Sequence, residues 1–203
     1  MKENGFEYVD LDLPSGTMWA TCNVGATKPE EPGLLFQWGC VDGYTYNEKT
    51  NKFRTNQKNL EDGSTSEYIP ILPTGNTYKA GEILKPEDDA VHVNMGGRWK
   101  MPTEYQLKEL YNNTTYKIET INGVKGILFT SKINGQRLFV PFAGYWYNGS
   151  FYTFGSNAFV WSSQVRSSNV NTAYILYCSY SGTATVHVND RTFAFSVRGV
   201  FKK

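Results

Sequence analysis

Three cysteines, two histidines, a short acidic run and one Asn-Asp pair are the residues of this chain with chemistry to offer, and their spacing limits what they can do. Cys22, Cys40 and Cys178 are an odd number at wide intervals, which admits one Cys22–Cys40 bridge and indicates no disulfide framework. His92 and His187 stand far apart, without the short spacings that gather zinc ligands. Glu87, Asp88 and Asp89 follow Pro86 and read as a charged first turn, where carboxylates meet the positive end of a helix dipole. Asn189-Asp190 offers oxygens to a hard cation. Calcium needs several more, no matching oxygen-rich loop lies upstream, and an Asn-Asp pair is ordinary turn chemistry. No Ser-His-Asp order and no glycine-rich phosphate loop is present. Metal binding and catalysis are therefore not expected, and no cofactor is.

What remains is a vocabulary of contact. The stretch "WSSQVRSSNVNTAYILYCSYSG", residues 161–182, holds no acid and a single base, Arg166. Tyrosine gives rigid amphipathic contact area, and Ser and Asn give adaptable hydrogen bonds. The candidate ligand-binding residues fall in three groups. Trp146, Tyr147, Asn148, Ser150 and Tyr152 surround an Asn148-Gly149 turn. Ser167, Asn169 and Asn171 follow the apparent strand end at Trp161. Tyr180, Thr183, His187, Asn189 and Arg191 lie on the last two strands or their connection. Alternation along a strand puts Thr185, His187 and Asn189 on the face opposite Val186 and Val188.

The elements that must hold these residues are legible from pattern. "EYVDLDLPSGTMWATCNVG" reads as two short strands split by a Pro14-Ser15-Gly16 turn. From Gly43 to Lys85 the chain is polar and aperiodic, an irregular surface excursion. "RWKMPTEYQLKELYNN" predicts a helix: Thr103 and Gln106 form a capping box, and Leu107, Leu110 and Tyr111 form one apolar stripe. Asn122-Gly123 and Asn134-Gly135 then mark hairpins, because both residues tolerate the positive φ of a tight turn. In the last segment Val186 and Val188 share one face and Phe193, Phe195 and Val197 another, with the turn expected at Asn189-Asp190. Strands, a helix and an antiparallel meander make an α+β chain. Its 203 residues suit a single domain, with an insertion at about 43–85 and a binding segment at about 145–193. A net charge of +1 gives no footprint for nucleic acid, and no apolar run is long enough to insert in a membrane. No charged-then-apolar leader stands at Met1.

The blocks "YVDLDLPSGTMWATCNVGATKPEEPG", "QWG", "LKPEDDAV", "GGRWKMPTEYQLKEL" and "FAFSVRGV" resemble, in the same order, the Fibrobacter succinogenes major paralogous domain family of gut Bacteroidetes. The likeness runs from Tyr8 to Val200 outside the polar excursion. The chain departs from it at Cys40, where an acid is usual, and at Ala194 and Gly199, in place of Gly and Pro. The resemblance implies a fold similar to C-type lectins and formylglycine-generating enzymes, a fold also used by variable proteins of diversity-generating retroelements. In those systems adenine-directed mutation scatters Asn codons to Ser, Thr, Tyr, His and Asp, the vocabulary of residues 145–193 here. C-type lectins hold calcium on an Asn-Asp pair together with an upstream loop, which this chain lacks. Formylglycine-generating enzymes use a late cysteine pair, whereas Cys178 stands alone and Cys22 belongs to the family's "TCNVG" pattern.

The expectation is a non-enzymatic domain with a C-type-lectin-like fold. It would present its C-terminal surface to a protein or glycan on a cell or phage surface, in a cell-surface, extracellular or virion setting. The alternatives are a structural appendage module without its own ligand, and a divergent formylglycine-generating-type enzyme, which would need copper. Ligand identity and oligomeric state are not legible in the sequence.

Overall fold

The structure, a computed structural model, describes residues 1–44, 72–147 and 150–203. Most of the polar excursion, residues 45–71, and the Asn148-Gly149 turn lie outside the described residues. In chain order the strands are β1 (Lys2–Glu3), β2 (Phe6–Asp10), β3 (Thr17–Asn23) and β4 (Leu35–Gln37), followed by a 3₁₀ turn (Pro86–Asp88) and the helices α1 (Ala90–Met95) and α2 (Glu104–Asn113). Then come β5 (Thr114–Ile121), β6 (Val124–Ser131), β7 (Arg137–Pro141), β8 (Tyr145–Tyr147) and β9 (Ser150–Tyr152). The long strands β10 (Asn157–Arg166), β11 (Asn169–Ser179) and β12 (Ala184–Asp190) precede the short closing pair β13 (Ala194–Ser196) and β14 (Arg198–Lys202). Among the described residues sheet dominates, with two short helices, so the chain is α+β.

Among the described residues the strands form three sheets. One joins the two ends of the chain in the order β1-β2-β3-β14, with Val200 opposite Trp19 and Phe201 opposite Met18. The central sheet runs β12-β11-β10-β13-β8-β9, with β4 also pairing β13. Its strands are antiparallel except where β10 meets β13 at Val160 and Ser196. The third is the meander β5-β6-β7.

Two apolar cores flank the central sheet, and β10 shows how. Phe159 and Trp161 point into one core with Trp38, Trp99 and Phe195, while Ala158 and Val160 point into the other with Trp19, Leu107 and Phe129. A strand buried on both faces reads as a continuous apolar run, as "AFVW" does.

The expected helix forms where its cap dictates. Gln106 N–H donates to Thr103 Oγ1, Gln106 Oε1 accepts from Thr103 N–H, and Leu107 and Leu110 are fully buried. Gln106 Nε2 also donates to Thr17 Oγ1, and Glu109 accepts from the Ser15 amide and hydroxyl, so the polar side of α2 fastens the first hairpin. Asn122 (φ 48) and Gly123 (φ 82) close the two-residue hairpin between β5 and β6. The Asn134-Gly135 turn is wider than a two-residue loop. The β6–β7 ladder stops at Thr130 and Arg137, and Ser131 Oγ accepts from the Ile133 and Asn134 amides instead.

Two expectations are corrected and one is borne out with its carboxylates buried. The polar excursion does not stay on the surface to Lys85: Leu72, Tyr78 and Leu84 return to the first core. The charged turn after Pro86 does lead into a helix as expected, with two of its carboxylates buried. Asp88 is buried and accepts from Thr74 Oγ1, Asn76 Nδ2 and the Tyr78 hydroxyl, while buried Asp89 caps α1 through the Val91 and His92 amides. The Asn189-Asp190 pair is not a turn. Both residues stay in register with β11, opposite Ala173 and Thr172, and the chain reverses over Asp190–Phe193, where Thr192 N–H and Oγ1 donate to Asp190 Oδ1.

Candidate binding face

The hairpin of β8 and β9 pairs Tyr145 with Tyr152, Trp146 with Phe151 and Tyr147 with Ser150. Alternation therefore sets Tyr145, Tyr147, Ser150 and Tyr152 on one face and Trp146 with Phe151 on the other. On the first face the rings are organised. Tyr147 stacks on Phe193 at 4.1 Å and 9°, and Tyr145 stacks on Tyr152 at 5.1 Å and 19°. Tyr145 also touches Phe193 and Phe159, and Phe159 touches Tyr177, so one chain of rings crosses from β8 to β11. Phe195 and Trp161 anchor it from below in the first core. Tyr147 and Tyr152, 39% and 40% exposed, are its solvent-facing members. Burial, and next the neighbouring Tyr152, push the Tyr145 hydroxyl above its ordinary value.

β12 extends the same face with hydrogen-bonding groups. Thr185 lies opposite Tyr177, His187 opposite Ile175 and Asn189 opposite Ala173, so all three share the side of the sheet on which Tyr177 joins the rings. From β12 to β8 is four strand steps, about 19 Å at the usual spacing. The face thus offers exposed rings at one side and a Thr-His-Asn row at the other, without an acid or a lysine among these residues.

Of the expected site residues, Tyr147, Ser150, Tyr152, His187 and Asn189 are brought together here, with half-buried Asn171 at its margin, where Asn171 O accepts from Arg191 N–H. Others go elsewhere. Ser167 and Asn169 sit at the β10–β11 tip, Ser167 Oγ against the Tyr174 hydroxyl at 3.2 Å and Asn169 Oδ1 accepting from Asn171 N–H. Tyr180 and Thr183 occupy the β11–β12 turn at the other end of those strands, Tyr180 71% exposed.

Two placements are corrections. Trp146 is buried against Leu35 and Ala194, because the β8 register turns it away from the rings. Arg191 is fully buried: its guanidinium lies 4.2 Å over the Trp38 ring, Nη1 donates to Val170 O, and burial lowers its pKa to about 10. Its length carries the charge inward, so it is a strut beneath the β11–β12 ladder and not a surface contact. Asn148 lies outside the described residues. Sequence reasoning passed over Tyr145, Tyr177 and Phe193. The available signal was parity, since Tyr145 is two residues from Tyr147.

Cys22 and Cys40 do not pair in a disulfide, and burial pushes the Cys178 thiol up. Among the described residues no three His, Cys, Asp or Glu side chains gather in a group that could hold a metal ion. A separate cleft of about 290 Å³, lined by Lys2, Phe6, Cys22, Asn23 and Met95 among others, shares no residue with the ring face. Comparison with family models, with curated proteins and with solved structures finds no match for this chain.

Proposed function

We propose that this chain is a non-enzymatic ligand-binding domain of C-type-lectin-like architecture, whose ring face contacts a protein or glycan on a cell or phage surface. One observation carries the reading: rings from β8, β9 and the β12–β13 turn stack into a surface with two partly exposed tyrosines, beside the Thr185-His187-Asn189 row. Pre-stacked rings lose little freedom when a ligand covers them, and neutral amides and hydroxyls then fix orientation. The resemblance to the Fibrobacter succinogenes paralogous domain, and through it to retroelement variable proteins, supports the lectin-like fold and a diversified surface.

The test is a screen of the purified domain against glycan and host-protein arrays, repeated with Tyr147→Ala, Tyr152→Ala and His187→Ala. A ligand whose binding falls at least tenfold in each variant, with thermal unfolding little changed, supports the face. Binding untouched by all three would place the site elsewhere. Sequencing the gene across a growing population addresses diversification, since substitutions concentrated at adenine-bearing codons of residues 145–193 are expected only of a retroelement target.

A further inference from the structure

Among the described residues strand β12 is an edge of the central sheet without the usual protection of one. Exposed edges are normally blunted by brevity, charge, proline or a bulge. The other strands at the ends of the three sheets obey: β1 has two residues and β9 three, β5 carries the Lys117–Glu119 ion pair, β7 ends in Pro141, and β14 is bridged by Lys100 at Val200 and ends in Lys202. β12 runs seven residues in unbroken register, from Ala184 opposite Cys178 to Asp190 opposite Thr172, with its one formal charge at the last position.

Its outward groups can be assigned. Ser179 N–H donates to Thr183 O and Arg191 N–H donates to Asn171 O, which sets the alternation of the antiparallel ladder. Thr185, His187 and Asn189 therefore direct their amides and carbonyls toward β11, and Val186 and Val188 direct theirs away. The sequence about His187, Thr-Val-His-Val-Asn, has the same character read in either direction.

We propose that β12 pairs antiparallel with β12 of a second copy of this chain, about a two-fold axis at His187. Val186 of each copy meets Val188 of the other in a doubly hydrogen-bonded pair, using the groups that already point outward. His187 meets its twin in the closer, non-hydrogen-bonded position, and Thr185 lies opposite Asn189. This is an isologous contact in which one patch serves both sides. In the single chain the edge is capped by its own side chains: His187 Nδ1 lies 2.9 Å from Val188 O, and Asp190 N–H donates to Asn189 Oδ1. Exchanging such bonds for interstrand ones is close to neutral. Covering the half-buried Val186 and Val188 then drives association, which is weak and concentration-dependent. Tyr116, whose hydroxyl reaches Ala184 O at 3.5 Å, limits the new ladder at that end.

The register is tested by cysteine substitution in a Cys22→Ser background, since Cys40 and Cys178 are buried. His187→Cys should form a disulfide-linked dimer on mild oxidation, because the two Cα atoms of a non-hydrogen-bonded pair lie about 4.5 Å apart. Thr185→Cys and Asn189→Cys chains should each stay single and cross-link when mixed. By light scattering the wild-type mass should rise from 23.0 kDa toward twice that value with concentration. His187→Lys, with like charges opposed and an unchanged circular dichroism spectrum, should remain at one chain. A single-chain mass at about 1 mM, a dimer that His187→Lys leaves intact, or Thr185→Cys chains that cross-link alone as readily as His187→Cys would each overturn the proposal.

Discussion

Replacing Asp89 separates what its carboxylate gives the fold from what its burial costs. Oδ1 accepts from the Val91 and His92 amides at 2.9 and 3.0 Å, and Oδ2 accepts from the Met101 amide at 2.9 Å. One side chain thus starts α1 and ties it to the segment that enters α2. Asp89→Ala removes a helix cap, about 0.5–2 kcal/mol, and leaves the buried Met101 N–H unpaired, about 1–3 kcal/mol. Relief of a buried charge works against these losses, so the expected net loss is about 2–3 kcal/mol. Asp89→Asn keeps the cap but turns an amide donor toward Met101 N–H, and should lose about 1–2 kcal/mol. The pH dependence has a definite sign. Burial pushes the Asp89 carboxyl above the ordinary carboxylate range, against the three amides and His92 that hold it down. A raised folded-state value means the folded chain holds the proton more tightly than the unfolded one. The contribution of Asp89 therefore grows as pH falls from above that raised value to below the ordinary one. Asp89→Asn lacks the titrating group, so the stability gap between wild type and variant should widen on acidification. Urea unfolding of both proteins at neutral pH and at steps below it measures the gap. A loss under about 0.5 kcal/mol for Asp89→Ala, or a gap that narrows as pH falls, would refute the reasoning.

Three further perturbations follow from the packing. Tyr78→Phe removes the 2.5 Å bond to Asp88 and the acceptor of Lys85 N–H, and should lower stability by about 1–3 kcal/mol in thermal or urea unfolding. Gly123→Ala meets open space but keeps a φ of 82°, so strain alone should cost about 1 kcal/mol. Gly126→Ala should cost more, because its Cβ would stand 2.4 Å from Val140 O. Iodoacetamide should alkylate half-buried Cys22 in the folded protein and reach Cys40 and Cys178 only after unfolding, which peptide mass mapping resolves.

Local signals in the sequence carried local structure. Thr103 and Gln106 are three residues apart and need only each other, and Asn122-Gly123 closes its turn with its own φ angles, so both were legible. Tyr78 was not. It sits in a stretch whose average is polar, and its burial depends on Asp88 and on Trp38, which meets it edge-on at 5.5 Å. Arg191 was misplaced for the same reason, since Trp38 lies far away in sequence. The Ser-, Asn- and Tyr-rich composition of residues 145–193 was legible, whereas the face its tyrosines form was not. Which tyrosines share a side depends on the Tyr145–Tyr152 register and on Phe193 arriving from another turn. A parallel contact such as Val160–Ser196 leaves no trace in a window of any length.

The pairing of β14 with β3 has a consequence for the order in which the chain acquires structure. Trp19 waits for Val200 and Met18 waits for Phe201, and these two late residues belong one to each core. During synthesis nearly the whole chain must emerge before either core closes, so the β8–β12 strands are made and exposed while their scaffold is still open. An aromatic segment in that position, with an unblunted edge, depends on rapid completion. Premature termination anywhere before Arg198 would leave β3 without β14 and both cores open.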